Sequence, residues 1–329
     1  MKTVLRYSTW AAAAWLAASA GTSQEAAPPV AAEAAAGPRL RVRFLETRQR
    51  GERVTSLPPS VLLLHAGDAQ ASVFAGTQVA LRTADRQSVI FKNAGVFAKV
   101  TARTLGDGRY QLDASLEQAS ILGSSGGAIA PGSGDNPILQ VVRSESRLVL
   151  RDGESAALSS AVDPVTGDVV RVDVALELPA TPPRRPAAAR PAALRARFVL
   201  SRRQGDKTIA TRPYSIALPD TDEAKHASVF SGAMLPLEAV AGGRATVMLK
   251  DVGAGLRLEA SRSADGRYRV DLSVSDGSLT QVSGAPRVQA FQVESRLFLS
   301  EGETVVVASA VDPQTGDVVE GQITLEGAR

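Results

Sequence analysis

The chain has 329 residues, a formal charge of +3, 44% hydrophobic residues, 4% aromatics and no cysteine. The length suits about two domains, and the apolar content suits folded ones. The lack of cysteine excludes disulfides, thiolate metal sites, cysteine nucleophiles and a lipid anchor on an N-terminal cysteine. Basic residues are scattered among acids, without a basic stripe interleaved with aromatics, so nothing points to nucleic acid.

Residues 1–20 read as a signal peptide. Lys2 and Arg6 form the charged start, residues 10–17 (WAAAAWLA) the short apolar run, and Ala18-Ser19-Ala20 the small-residue cleavage site. The run is too short to span a bilayer, and no later segment is long and apolar enough to do so. The expectation is therefore a periplasmic or secreted protein, cleaved near Ala20 and without a membrane span in its mature part. Residues 21–38 are an Ala- and Pro-rich tether. Because Lys2 and Arg6 leave with the leader, the mature chain is nearly neutral.

The strongest signal is an internal repeat. Residues 39–178 form one copy and residues 194–329 a second. Residues 179–193 between them carry five prolines with Arg184, Arg185 and Arg190, the composition of an extended, solvated linker. In matching order stand Leu40-Arg41-Val42-Arg43-Phe44 and Leu194-Arg195-Ala196-Arg197-Phe198, then Ala71-Ser72-Val73-Phe74-Ala75-Gly76 and Ala227-Ser228-Val229-Phe230-Ser231-Gly232. Asp107-Gly108-Arg109-Tyr110 answers Asp265-Gly266-Arg267-Tyr268. Glu145-Ser146-Arg147-Leu148 answers Glu294-Ser295-Arg296-Leu297. SAVDPVTGDVV from Ser160 answers SAVDPQTGDVV from Ser309. The period is far too long for a solenoid, so these are tandem domains.

Within copy one, period-two alternation predicts strands over 40–47, 61–64, 73–82, 96–104, 109–116, 138–150, 156–162 and 169–176. Asp-Gly turns at 106–108 and 152–153 separate some of them. In copy two the matching strands are 256–263, 267–274, 288–299, 304–311 and 318–325. No helix-length 3.6 period occurs. The fold class expected is all-β: two tandem antiparallel β-sandwich-like domains of about eight strands each. Copy one also carries a Gly/Ser-rich loop, residues 123–137, that copy two shortens to residues 283–286; a tolerated surface insertion is the default for such a loop.

Little in the sequence carries chemistry. The two histidines, His65 and His226, stand at non-equivalent places, and the expectation is satisfied surface histidines, not zinc ligands or a catalytic triad. No Gly-x-Ser-x-Gly elbow and no P-loop is found. Asp163-Pro164-x-Thr166-Gly167-Asp168 and Asp312-Pro313-x-Thr315-Gly316-Asp317 offer oxygens that calcium could use, but Pro, Asp/Thr and Gly in that order are the chemistry of a hairpin turn. Glu154 and Glu303 are expected to face solvent at a strand start, with a salt bridge to Arg147 and Arg296 as the alternative. Tyr110 and Tyr268 are expected to pack inward. No catalytic, cofactor-binding or metal-binding residue is assigned, no cofactor is expected, and the binding residues are left open.

The later part of each copy resembles the core β-domain of bacterial secretins, the outer-membrane channels of secretion and pilus systems. The residues that carry the resemblance are Val96-Phe97-Ala98-Lys99-Val100 through the Gly108 hairpin to Leu116, then Arg147-Leu148-Val149-Leu150-Arg151-Asp152-Gly153-Glu154-Ser155. In copy two they are Arg296-Leu297-Phe298-Leu299-Ser300-Glu301-Gly302-Glu303-Thr304-Val305-Val306-Val307. The Val-Pro and Leu-Gly gate segments of the family are missing, so the resemblance implies the β-module and not a channel. It implies a non-enzymatic structural or protein-binding protein of the envelope, linked to a secretion or pilus assembly, that can offer a sheet edge to a partner strand. The alternative is a carbohydrate- or surface-binding sandwich.

Overall fold

A computed structural model describes residues 37–67, 69–82, 89–122, 138–163, 167–180, 193–219, 225–241, 244–263, 265–282, 285–313 and 315–328. The leader, most of both Pro-rich segments and the 123–137 loop lie outside these. Every described element is a strand, all pairing is antiparallel, and residues 35–329 form one compact unit.

Copy one supplies β1 (Arg39–Arg50), β2 (Arg53–Ser56), β3 (Ser60–His65), β4 (Ala69–Arg82), β5 (Val89–Thr104), β6 (Arg109–Leu122), β7 (Ile138–Arg151), β8 (Ser155–Val162) and β9 (Val169–Glu177). Copy two supplies β10 (Ala193–Gln204), β11 (Lys207–Pro219), β12 (Lys225–Ala241), β13 (Arg244–Arg262), β14 (Tyr268–Val282), β15 (Ala285–Leu299), β16 (Thr304–Val311) and β17 (Val318–Ala328).

Each copy folds as the sandwich its alternation predicts, four strands of one layer over four of the other, with the short β2 added in copy one. Along β1, Leu40, Val42 and Phe44 point inward between polar neighbours; along β9, Val170, Val172, Val174 and Leu176 do the same. Each such side chain contributes about 1.5–3 kcal/mol when fully buried. Tight turns set the register. At the β5–β6 hairpin Gly106, Asp107 and Gly108 all take positive φ (78°, 41° and 75°), which Gly and Asp tolerate best. Both copies bulge at the same point, between Ala157 and Ser159 in β8 and between Val306 and Ala308 in β16. The extra residue, Leu158 or Val307, is buried in each.

The two sandwiches do not stand apart. One layer runs β11-β10-β17-β16-β3-β1-β9-β8, with β2 attached to β1; the other runs β12-β13-β14-β15-β4-β5-β6-β7. Each layer therefore takes four strands from each copy, with the short β2 of copy one added to the first, and one apolar core passes through both. The copies are joined at β16–β3, where Ala308 and Ser309 face Leu62 and Val61. They are joined again at β15–β4, a ladder from Val288↔Gln78 to Glu294↔Ser72.

The Gly of the repeated Ala-Ser-Val-Phe motif has a structural reason. Gly76 faces Gly95 across β4–β5, and Gly232 faces Gly253 across β12–β13. A Cβ on Gly76 would lie 2.3 Å from the Ala94 carbonyl oxygen and 2.6 Å from Gly95 Cα, so the strands approach too closely there for any side chain.

Candidate functional site

The described ends of the repeated Asp-Pro-x-Thr-Gly-Asp segments are hydrogen-bonded as the ends of hairpin turns. Asp163 N–H donates to Asp168 O (2.7 Å) and Gly167 N–H to Asp163 O (2.8 Å); Asp312 and Asp317 repeat this at 2.8 Å, with Gly316 N–H to Asp312 O at 2.7 Å. Gly167 and Gly316 sit at φ 73° and 75°. The carboxylates are already engaged. Asp168 takes a two-pronged bond from Arg50 (2.5 and 2.9 Å), Asp317 lies 3.6 Å from Arg202, and Asp312 accepts from Gln289. Among the described residues no cluster of three or more His, Cys, Asp or Glu could hold a metal. Tyr110 and Tyr268 are buried, as their place in the alternation implies.

Three expectations need correction. His65 is not a surface residue. It ends β3 at the junction between the copies, and its ring meets Phe298 edge-on at 5.2 Å. Its Nδ1 accepts a 3.3 Å bond from Phe298 N–H, and Nε2 is buried without a partner. Burial, helped by the charges of Arg39 and Arg267, pulls its pKa down to about 3, so it is neutral. His226 is exposed.

Glu303 does not face solvent either. It pairs with Arg39 at 2.5 Å, both nearly buried, and takes the Ser300 N–H at 2.9 Å. Glu154 is exposed, bonded to Arg151 N–H. Nor do Arg147 and Arg296 pair with these glutamates. They reach across the ladder to Asp113 (2.6 Å) and Asp271.

Arg39, His65, Phe298 and Glu303 thus clasp the two copies. Arg39 also donates to Phe298 O (3.1 Å), and Ser295 Oγ donates to Leu63 O (2.8 Å). Their copy-two and copy-one counterparts are Ala193, Pro219, Val149 and Glu154. Three of the four differ between otherwise matched copies, and that departure was the signal available in the sequence.

Beside the junction lies a cavity of about 340 Å³ between the layers, lined by Phe44, Glu46, Leu57, Val96, Leu116 and Val311 among others. Glu46 is buried there and its carboxyl is pushed up by burial, opposed by Arg48, which bonds it at 2.8 Å and also reaches Gln118 at 3.0 Å. At the matching level of copy two, Arg212 holds Asp276 at 2.7 Å and Tyr214 donates to it at 3.3 Å; burial beside Asp276 raises Tyr214 to about 12. These groups tie one layer to the other.

Among the described residues, the pair of edges at each end is left open. β7 and β8 end the layers on the copy-one side, and β11 and β12 end them on the copy-two side. A terminal strand presents unpaired backbone N–H and C=O groups that can take another strand. Val149, Val162, Val229 and Phe230 are exposed on these edges. Among the described residues no helix is long and apolar enough to cross a membrane.

No protein family and no curated protein matches the chain by sequence. Solved secretins resemble it weakly in structure. The Salmonella type III secretion injectisome secretin InvG is 8% identical, covering 88% of this chain and 64% of its own, with a TM-score of 0.30. The secretin of the enterotoxigenic E. coli pilotin–secretin AspS–GspD complex is 9% identical, covering 88% and 49%, at 0.29. The type II secretin XcpQ of Pseudomonas aeruginosa is 11% identical, covering 88% and 58%, at 0.29. The chain spans roughly half to two thirds of the length of these secretins.

Proposed function

We propose that the protein is an exported, non-enzymatic structural component of the cell envelope that works by lending its open sheet edges to a partner protein. The observation that carries this reading is that, among the described residues, both layers end at both ends in strands paired on one side only, with aliphatic and aromatic side chains exposed on them. Strand addition at such an edge gains main-chain hydrogen bonds, and pockets for alternate side chains give it selectivity. The sequence resemblance to the secretin core domain supports the envelope and a secretion or pilus assembly as the setting. The leader at residues 1–20 supports export. Tyr110 and Tyr268, the tyrosines at the Asp-Gly hairpins, are buried and so offer a sugar no stacking face there.

The test is affinity capture from envelope extracts, comparing the intact chain with a variant carrying lysines on all four edges. A specific protein captured by the first and lost by the second supports the reading. Equal capture by both, or retention on glycans alone, refutes it. Clear turnover in a hydrolase screen would refute the non-enzymatic part.

A further inference from the structure

We propose that the partner at these edges is a second copy of the same chain, joined head to tail: β7 and β8 of one molecule against β12 and β11 of the next. This rests on the reading that the open edges bind protein.

The molecule already contains this joint once. Inside the chain, β15 of copy two pairs with β4 of copy one, and β16 pairs with β3. By the repeat, β7 and β8 correspond to β15 and β16, while β12 and β11 correspond to β4 and β3. The strand order is the same in the two halves of each layer, so the copies stack in one direction and not about a two-fold axis. One half of the joint is left over at each end. Contacts of this kind between unlike surfaces propagate into rings or filaments.

The exposure of matched residues traces the missing contact. Val73 and Phe74, covered at the internal joint, are 0% and 3% exposed; their counterparts Val229 and Phe230 are 40% and 56%. Phe298 and Val311, on the other side of that joint, are 8% and 7% exposed; their counterparts Val149 and Val162 are 47% and 63%. The same motif is thus core in one copy and bare surface in the other, and what separates them is whether a matching edge lies alongside.

The register transfers too. Glu294↔Ser72, Val293↔Val73 and Gln292↔Phe74 become Glu145 against Ser228, Ser144 against Val229, and Arg143 against Phe230. The short β16–β3 ladder, Ala308↔Leu62 and Ser309↔Val61, becomes Ser159 against Ile216 and Ser160 against Ser215. Proline, which blunts a sheet edge, occurs at Pro213, Pro219 and Pro236 on these strands, and each lies outside the matched stretches 215–216 and 228–234. One part of the internal joint is not carried over. Ala193 and Pro219 stand where Arg39 and His65 form the clasp, so the joint between chains lacks the buried ion pair and is the weaker, reversible one.

The experiment is sedimentation of the mature chain over a concentration series, with two edge variants. Val149→Lys with Val162→Lys blocks the β7/β8 end, and Val229→Lys with Phe230→Lys blocks the β11/β12 end. All four side chains are exposed, and circular dichroism checks the fold. The wild type should grow beyond a monomer with rising concentration. Each variant alone should stay monomeric, with at least a ~10-fold loss of affinity, the effect of ~1.4 kcal/mol. An equal mixture of the two should form dimers and stop there, because each supplies the end that the other lacks. A wild-type monomer up to about 100 µM, a Kd above which binding is weaker than ~5.5 kcal/mol, would overturn the proposal; so would dimers of either variant alone, which would mean like edges pairing. If the wild type stays monomeric yet captures a different envelope protein through its edges, the proposed function stands and this inference falls. If it does neither, both fall.

Discussion

Replacing Arg39 by Met should loosen the internal joint measurably. Arg39 and Glu303 pair at 2.5 Å with side chains only 8% and 10% exposed, and Arg39 also holds the Phe298 carbonyl at 3.1 Å. Removing one partner of a buried pair costs about 3–5 kcal/mol, because the other charge stays buried alone. Glu303 keeps its bond from Ser300 N–H, so the lower end applies and about 3 kcal/mol is expected for Arg39→Met. Glu303→Gln should cost about 2 kcal/mol by the loss of a charge-assisted bond. The double variant should cost about 1–2 kcal/mol less than the two together, the coupling of residues in direct contact. Urea unfolding of the four proteins measures this, provided the slope with denaturant is unchanged. Arg43→Met is the control, since its pair with Glu177 is 38% and 36% exposed and should contribute less than ~1 kcal/mol. Costs of less than ~0.5 kcal/mol for both single changes, adding without coupling, would mean that the clasp contributes nothing.

Other outcomes follow from the same structure. His65 stays neutral down to about pH 3 when folded, whereas an unfolded histidine takes up a proton near 6.5. The unfolded state therefore binds more protons between those values, and stability falls as pH drops through that window by up to about 1.4 kcal/mol per unit. His65→Phe should flatten that limb relative to wild type, and an identical slope in the two proteins would refute the assignment. Phe74→Ala should cost about 3–5 kcal/mol in unfolding experiments and Phe230→Ala under ~1 kcal/mol, although the two occupy the same place in the repeat. Comparable costs in monomeric protein would contradict the burial difference. Gly76→Ala should cost about 1–3 kcal/mol, since its Cβ has no room beside Ala94 and Gly95. An unchanged melting temperature would show that the β4–β5 pair can open without penalty.

How much of this could be read beforehand depended on how local the cause was. Asp-Gly turns and alternating Val, Leu and Ala placed β5–β6 and β8–β9 and their copy-two partners, because turn chemistry and side-chain period act over a few residues. Strand ends were harder. β5 begins at Val89 rather than near Val96, because Gly95 breaks the alternation where the backbones touch. β11 carries Pro213 and too few apolar residues to stand out. The hairpin role of Asp163 and Asp312 was legible from Pro and Gly spacing. The clasp was not, since Arg39 and Glu303 are 264 residues apart and an isolated sequence says nothing about which distant charges share a buried spot. His65 misled for the same reason: what buries it is contributed by Phe298, from the other copy.

The one-way stacking of the copies along both layers has a consequence for how such a protein can vary. Appending a third repeat would lengthen the slab without altering what either terminus displays. If chains join as proposed, a repeat that follows within the polypeptide and a repeat that follows across the joint take equivalent places along the layers. Fusion of such neighbours, or their separation into shorter chains, would then keep the strand order along each layer and change only whether a joint carries the clasp.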